Sequence, residues 1–201
     1  LERHRCWFGG GTAIVLRFGE YRESLDVDFM VSDIGAYREL RRRVRGPSGF
    51  GALVRPGSTL VPLREVRADQ YGLRTIVEVD RTPIKLEIIS EGRIELEDPG
   101  PDDRICGVGT LGRLDLVATK LLANSDRWAD DAVLSRDVID LAMMSPSRDL
   151  LTDAVRKANS AYPNTERDVV AAIDALLARG HRLDECLLAL KSKAPKAVVW
   201  D

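Results

Sequence analysis

The chain has 201 residues, of which 44% are hydrophobic and 31% are charged, and its formal net charge is −2. This composition excludes a disordered chain, which would contain fewer apolar residues and carry a larger net charge. The small net charge also excludes a general electrostatic attraction to nucleic acid or to membranes, so any such attraction must be local. The three distant cysteines (Cys6, Cys106 and Cys186) and two histidines argue against a disulfide framework or a zinc site. They favour a reducing, cytoplasmic location.

No apolar run in the sequence approaches the eighteen residues expected of a transmembrane helix, and no signal peptide is apparent. We therefore expect no membrane partner. The sequence starts at Leu1 rather than at methionine, almost directly on its first predicted strand. We expect from this that the N-terminus is trimmed and that an element before the first strand is missing.

The first motif is a strand that runs into three glycines and a threonine. Trp7 and Phe8 form the apolar strand, Gly9–Gly11 and Thr12 form a turn, and residues 13–18 form a short helix. Glycines permit positive φ angles and let the backbone approach a ligand closely. A helix that begins at such a turn directs unpaired N–H groups outward, which suits a phosphate group, although a simple tight turn is the alternative interpretation.

The second motif is a predicted strand with two aspartates. Leu25, Val27 and Phe29 alternate with Asp26 and Asp28, which places both carboxylates on one face, about 6.8 Å apart. Two ionised carboxylates at this distance repel each other, and a divalent cation with a preference for oxygen ligands, Mg²⁺ or Mn²⁺, would relieve the repulsion. The alternative is that the aspartates simply occupy the solvent-facing side of a half-buried sheet.

A basic helix follows the second motif. Ser32 and Asp33 can cap a helix over residues 34–44, and glycines and prolines stop it at residue 46. The helix and its end carry a cluster of arginines, namely Arg38, Arg41, Arg42, Arg43 and Arg45. This cluster is either a patch that binds phosphate groups beside the site or an ordinary solvated helix face.

A predicted hairpin supplies the third acidic residue. Residues 73–79 and 84–89 alternate as strands and are joined by a turn over residues 80–83. Glu87, between Leu86 and Ile88, has the pattern expected of a third metal ligand. Glu78 on the other arm is its rival, and a surface glutamate on an edge hairpin is the simpler alternative for Glu87.

The second half of the chain is predicted to be helical. A turn-rich linker over residues 91–106 precedes an apolar stripe that begins at Leu114 and that Thr110 can cap. This helix carries Lys120, and a later helical run over residues 136–144 carries Arg136, Asp137 and Asp140. Lysines and Arg–Asp pairs on helices are commonly surface residues, so these positions gain interest only from their order and spacing.

Together these motifs resemble the AbiEii/AbiGii-type nucleotidyltransferase toxins of the DNA-polymerase-β-like nucleotidyltransferase superfamily. The resemblance rests on four motifs in the same order as in the family. The first extends from Gly10 to Phe29 and includes Gly10–Ala13, Leu16, Arg22, Ser24, Asp26 and Asp28; the other three are residues 84–89, 115–123 and 136–141. The resemblance covers residues 9 to about 141, most of the chain.

The resemblance implies a role for each motif. Asp26, Asp28 and Glu87 would be the catalytic residues and the ligands of Mg²⁺ or Mn²⁺. The remaining motif residues would bind the nucleotide, namely Gly10, Gly11, Thr12, Arg22, Ser24, Lys120, Arg136, Asp137 and Asp140. The implied fold is α+β, with a small mixed β-sheet nucleotidyltransferase core and flanking helices over residues 1–105. A helical domain over residues 106–201 would follow and close the nucleotide cleft.

The resemblance also implies an activity and partners. The chain would transfer a nucleoside monophosphate from a nucleoside triphosphate to an acceptor hydroxyl, with tRNA or another RNA as acceptor. It would be the toxin of a bacterial toxin–antitoxin or abortive-infection system, paired with a cognate antitoxin protein. One alternative is a catalytically inactive module of the same fold that binds a nucleotide or a protein. Another is a metal-dependent phosphodiesterase or nuclease that uses the same carboxylates.

Overall fold

The structure is a computed structural model that describes residues 1–55 and 57–200. It confirms the predicted α+β class. The strands are β1 Trp7–Gly9, β2 Val27–Val31, β3 Val61–Pro62, β4 Arg67–Ala68, β5 Gly72–Val79, β6 Thr82–Ser90, β7 Arg104–Ile105 and β8 Val108–Gly109. The helices are α1 Gly10–Arg17, α2 Ile34–Arg45, α3 Arg113–Arg127, α4 Arg136–Met144, α5 Arg148–Asn159, α6 Thr165–Ala178, α7 Arg182–Ala189 and α8 Lys196–Trp200. In the part of the chain that the structure describes, no helix combines the length and apolar character needed to span a membrane.

Six strands form one mixed sheet. Its order is β1-β2-β6-β5-β3, and β4 also pairs with β5. The β2–β6 pair is parallel, whereas β1–β2, β5–β6 and the two short edge pairs are antiparallel. This order puts the strand that follows the glycine turn directly beside the second arm of the hairpin. β7 and β8 form a separate two-stranded sheet.

The hairpin has a tighter turn than the sequence predicts. Asp80 and Arg81 both have positive φ angles, as a two-residue turn requires when its twist must match that of the strands. The strand β6 therefore starts at Thr82, and Pro83 lies inside it opposite Glu78. Two short strands before the hairpin, β3 and β4, both pair with β5.

The helix α2 covers one face of the sheet. Asp33 caps it by accepting a hydrogen bond from the N–H of Ala36, as the sequence predicts. Tyr37, Leu40 and Val44 point inward, because positions three and four apart share a face of a helix. They pack in one core cluster with Val31, Leu73 and Ile88 of the sheet and with Cys6.

The chain divides into two compact units that interleave along the sequence. The first contains Leu1–Ala13 and Leu25–Leu111, and the second contains Ile14–Ser24 and the residues from Gly112 onward. The predicted division between residues 105 and 106 stays a prediction.

The second unit is built around α3. This helix packs against α4, α5 and α6, and nine of its side chains are buried. Its N-cap is Gly112 rather than the predicted Thr110, because the Thr110 hydroxyl instead donates to the carbonyl of Val108.

The segment before β2 is tied to residues near the end of α7. Tyr21 accepts hydrogen bonds at its carbonyl from the N–H of Lys193 and the hydroxyl of Ser192, and Glu23 donates its N–H to the carbonyl of Leu190. These contacts all lie within the second unit.

Candidate active site

A glycine at the start of α1 lies against an aspartate of β2. The strand β1 ends at Gly9, and Gly10 begins the helix with φ at +68°. A Cβ atom on Gly10 would lie 2.4 Å from Asp28 Oδ2 and 2.8 Å from Asp28 Cβ. No side chain other than hydrogen fits this approach, so Gly10 allows the turn and the Asp28 carboxylate to be neighbours.

Asp28 and Glu87 are adjacent on the sheet. They are partners in the parallel register of β2 and β6, and adjacent strands lie about 4.8 Å apart. Partners in register point to the same face, and here that face is opposite to the one that α2 covers. Glu78 lies on β5, which pairs with β6, β3 and β4 rather than with β2. The sheet order therefore brings Glu87, and not Glu78, next to Asp28.

Asp26 lies just before the strand. It is exposed and precedes the first residue of β2, Val27. Its carbonyl accepts a hydrogen bond from the hydroxyl of Thr12, which ties the first turn of α1 to the start of β2. Within the described residues, no three histidine, cysteine, aspartate or glutamate side chains are grouped closely enough to hold a metal ion.

Two basic side chains hold Glu87. Its carboxylate forms ion pairs with Arg74 Nε at 2.9 Å and with Lys85 Nζ, and its side chain is 15% exposed. Arg74 is the register partner of Glu87 on β5 and also contacts Asp69. Neither cation was among the residues predicted from sequence. Alternation along residues 84–89 puts Lys85 on the same face as Glu87, whereas the position of Arg74 follows from the register of β5 and β6.

The start of α1 is suited to an anion. Its first turn contains Gly10, Gly11 and Thr12 and no acidic residue. The first N–H groups of a helix have no partner within the helix, and the helix dipole adds positive potential there. The first turn of α1 can therefore donate hydrogen bonds to a phosphate group beside Asp28.

Four of the other predicted nucleotide-binding residues, Arg22, Lys120, Asp137 and Asp140, belong to a buried ionic network in the second unit. Arg22 donates from Nε and Nη2 to the two oxygens of Asp140, at 2.7 and 2.8 Å. The Tyr21 hydroxyl also donates to Asp140, and Lys120 Nζ lies 2.7 Å from its second oxygen. Asp140 is fully buried and Lys120 is 5% exposed.

The same network continues to Asp137. Lys120 Nζ lies 2.8 Å from Asp137 Oδ1, and Arg127 donates two hydrogen bonds to the same carboxylate. Burial alone would raise the pKa values of Asp137 and Asp140, but the facing cations hold both pKa values below the usual range. Both carboxylates are consequently ionised at neutral pH.

Two further predicted residues lie near this network in the sequence. Arg136 is the first residue of α4. Ser24 ends the stretch of residues 14–24 that belongs to the second unit. Both residues are half-buried. Arg127 was not among the residues predicted from sequence. Its signal was the spacing of seven residues from Lys120, which puts both cations on one face of α3. Contact of these residues with a nucleotide stays a prediction.

Comparison with known proteins gives the family. A family model described as "Nucleotidyl transferase AbiEii toxin, Type IV TA system" matches residues 1–190. No curated protein sequence matches the chain significantly. Among solved structures, the chain is similar to one titled "Crystal structure of putative nucleotidyltransferase from H. pylori", with 14% identity, coverage of 90% of this chain and 88% of that chain, and a TM-score of 0.33. Because the family match extends over most of its length, the chain belongs to the AbiEii family of nucleotidyltransferase toxins from type IV toxin–antitoxin systems.

Proposed function

We propose that the chain transfers a nucleoside monophosphate from a nucleoside triphosphate to an acceptor hydroxyl and releases pyrophosphate. The observation that carries this proposal is the contact of Gly10 with Asp28, whose register partner is Glu87. A helix start suited to phosphate and a pair of carboxylates thus meet in one unit. This is the combination that phosphoryl-type transfer needs, because its catalysis depends on positioning and on neutralisation of charge.

We propose Mg²⁺ or Mn²⁺ as the cofactor. The residues fit such an ion in their donor chemistry, since carboxylate oxygens are the ligands that these cations prefer. In space, Gly10 lets the first turn of α1 lie directly beside the Asp28 carboxylate, whereas the side chains of Asp26, Asp28 and Glu87 would have to move closer together to hold an ion jointly. Asp28 and Glu87 would hold the ion, with Asp26 as the third ligand. When bound, the ion would neutralise phosphate charge and make the acceptor hydroxyl more acidic.

The residues of the chain itself account for the remaining steps. The N–H groups of Gly10, Gly11 and Thr12 bind the terminal phosphates of the triphosphate and hold the leaving pyrophosphate. The acceptor oxygen attacks the α-phosphorus as the bond to the β-phosphate oxygen breaks. A carboxylate oxygen of Asp28 or Glu87 takes the proton that the acceptor hydroxyl loses.

A specific observation favours a second candidate, a catalytically inactive module that binds a nucleotide or a protein. Glu87 is already paired with Arg74 and Lys85, and a carboxylate neutralised in this way is a weaker metal ligand and a weaker base. A phosphodiesterase or nuclease would use the same carboxylates. Unlike a nucleotidyltransferase, it would not release pyrophosphate from a nucleoside triphosphate when an acceptor is added.

The family supports a biological setting for the proposed reaction. As a type IV toxin, the chain would act on a component of its own cell, and we propose a cytoplasmic location, a cognate antitoxin and an RNA acceptor such as tRNA. The arginines of α2 supply positive charge that could attract the phosphate groups of such an acceptor.

The first test is nucleotide binding by calorimetry. ATP, GTP, CTP and UTP would each be titrated with and without Mg²⁺ into the protein and into the variant Asp26→Asn/Asp28→Asn. We expect metal-dependent binding of at least one nucleotide and its loss in the variant. The control is Asp102→Asn/Asp174→Asn, which removes two exposed carboxylates that are not among the candidate site residues and should bind as the unmodified protein does.

Turnover separates the candidate functions. Acceptor RNA would be incubated with the bound nucleotide, and both label incorporation and pyrophosphate release would be measured. Equal amounts of the two products support transfer. Metal-dependent binding without either product would favour the inactive module, and binding of no triphosphate by a folded protein would overturn the proposal.

A further inference from the structure

A row of arginines runs along the exposed side of α2. Four of them, together with Gly46, line a shallow surface depression of about 480 Å³. We name this surface the arginine face and define it by Arg38, Arg41, Arg42 and Arg45. The spacing of three, four and seven residues places these side chains on one side of the helix. The row is about 10 Å long at 1.5 Å per residue.

The arginine face is separated from the carboxylates by the sheet. The opposite side of α2 packs in the core cluster with Leu73 and Ile88, whereas Arg74 and Glu87, the neighbours of these residues on β5 and β6, point to the other side of the sheet. The arginine face is therefore a surface distinct from the candidate active site.

In the described part of the chain, three of the four guanidinium groups are not paired with a carboxylate. Glu39 pairs with Arg42 and with Arg43, and these two hydrogen-bonded arginines lower the pKa of Glu39 to about 2. Within the described residues, Arg38, Arg41 and Arg45 form no ion pair. Arg41 and Arg45 donate to the carbonyls of Asp69 and Ala68, which fixes their positions at the surface.

We propose that the arginine face is a docking surface for the phosphate backbone of double-stranded RNA. Guanidinium forks match phosphate oxygens in bidentate geometry, and a row of fixed charges follows a regular backbone. Single-stranded RNA is bound through exposed aromatic rings that stack on its bases, and the aromatic residue of α2 itself, Tyr37, is buried, with its ring 5.9 Å from the Arg41 guanidinium.

A protein partner fits this surface less well. Protein interfaces have an apolar centre with polar residues at the rim, whereas the centre of the arginine face is charged and its one exposed apolar neighbour on α2 is Ile34 at the helix start. The choice of RNA as the polyanion rests on the proposed function, because an RNA acceptor is the duplex that the reaction would bring to the chain.

The test measures the binding of a labelled 20-base-pair RNA duplex by fluorescence anisotropy between 50 and 200 mM salt. We expect Arg38→Gln/Arg41→Gln/Arg45→Gln to lower affinity at least about tenfold. The slope of log affinity against log salt should become shallower by about 2 to 3, since three phosphate contacts are lost. The matched control is Arg148→Gln/Arg167→Gln/Lys193→Gln, which removes three exposed charges of the second unit and should change neither value.

Two further variants guard against an effect on folding. Arg38→Lys/Arg41→Lys/Arg45→Lys loses the same guanidinium contacts to the backbone but keeps the charges, so it should retain most of the salt slope. Glu39→Gln frees Arg42 and Arg43 from their ion pairs and should tighten RNA binding and steepen the salt slope. A gain of affinity is opposite in sign to the loss expected if α2 unfolded, and circular dichroism of each variant checks that it is folded.

Several outcomes would overturn the proposal. The first is an equal loss of RNA affinity in Arg38→Gln/Arg41→Gln/Arg45→Gln and in its control, and the second is an unchanged RNA affinity in Glu39→Gln. The others are equal affinity for a DNA duplex, and binding of a polyglutamate peptide instead of RNA that depends on the same arginines. All measurements would be repeated in Asp26→Asn/Asp28→Asn, in which RNA binding should persist. A wrong proposal of nucleotide transfer can in this way be told apart from a wrong proposal of RNA binding at the arginine face.

Discussion

At the scale of single residues, Gly10 is the most constrained position near the carboxylates. It combines a positive φ angle with an Asp28 carboxylate that occupies the space of a Cβ atom. The left-handed conformation costs an ordinary residue about 1–2 kcal/mol. A side chain at this position would also displace the Asp28 carboxylate, which acts on the site itself. Backbone strain and displacement of Asp28 should be separable by comparison with a glycine at which only the first occurs.

We expect Gly10→Ala to lower both stability and nucleotide binding. Gly19→Ala is the matched control, because Gly19 also has a positive φ angle, +88°, but a Cβ atom added there would meet no atom of a non-adjacent residue within 4 Å. Thermal unfolding should show a loss in both variants, whereas calorimetry should show a loss of metal-dependent nucleotide binding only in Gly10→Ala. Normal binding by Gly10→Ala would mean that Asp28 need not stay where the structure places it.

The residues also show how far the sequence could lead. Alternation along two strands correctly placed Asp28 and Glu87 on faces of a sheet, because a period of two needs no knowledge of the partner strand. The parallel pairing that makes them neighbours is a tertiary property, and so are the ion pairs of Glu87 with Arg74 and Lys85. The burial of Lys120 was equally hidden, since the sequence shows which residues share a helix face but not what packs against that face.

At the scale of elements, the ionic network joins α3, α4 and the segment before β2. Asp140 is fully buried and accepts hydrogen bonds from Tyr21 and Arg22. Removing one member of a buried pair leaves an uncompensated charge in a medium of low dielectric constant, which is far more costly than breaking an exposed pair. The loss of unfolding free energy on removing an arginine from an ion pair should therefore depend on how deeply the pair is buried.

We expect Arg22→Met to lower the free energy of unfolding by about 3–5 kcal/mol. Arg156→Met is the control, because Arg156 forms an ion pair of similar length with Asp153, but with both side chains more than half exposed. It should cost only a small fraction of that amount. Urea unfolding followed by circular dichroism measures both, and equal effects would show that Asp140 finds another partner or is protonated.

At the scale of the whole molecule, the interleaved units make the second unit discontinuous in sequence. Residues 14–24 belong with the residues from 112 onward. The helix α1 itself crosses this boundary, because it begins at Gly10 in the first unit and ends at Arg17 in the second. The second unit can therefore be completed only by residues from both parts of the chain.

We expect the fragment that begins at Gly112 to be poorly folded by itself. It lacks Tyr21 and Arg22, which supply three hydrogen bonds to the buried Asp140 carboxylate. A synthetic peptide of residues 14–24 should raise its helix content in circular dichroism, and the same peptide with Tyr21→Phe and Arg22→Met should not. A fragment that is fully helical and unaffected by either peptide would show that the second unit does not need this segment.

The hydrogen bonds of Tyr21 with Ser192 and Lys193 have a consequence for the time course of synthesis. Tyr21 and Ser192 are 171 residues apart, and ribosomes add about 5 to 20 residues per second. The segment that leads into the aspartate strand thus leaves the ribosome roughly 10 to 30 seconds before its last partners are made. During that interval a toxin chain exists in the cell with Asp26 and Asp28 already synthesised, while residues 21–23 still lack their hydrogen-bond partners.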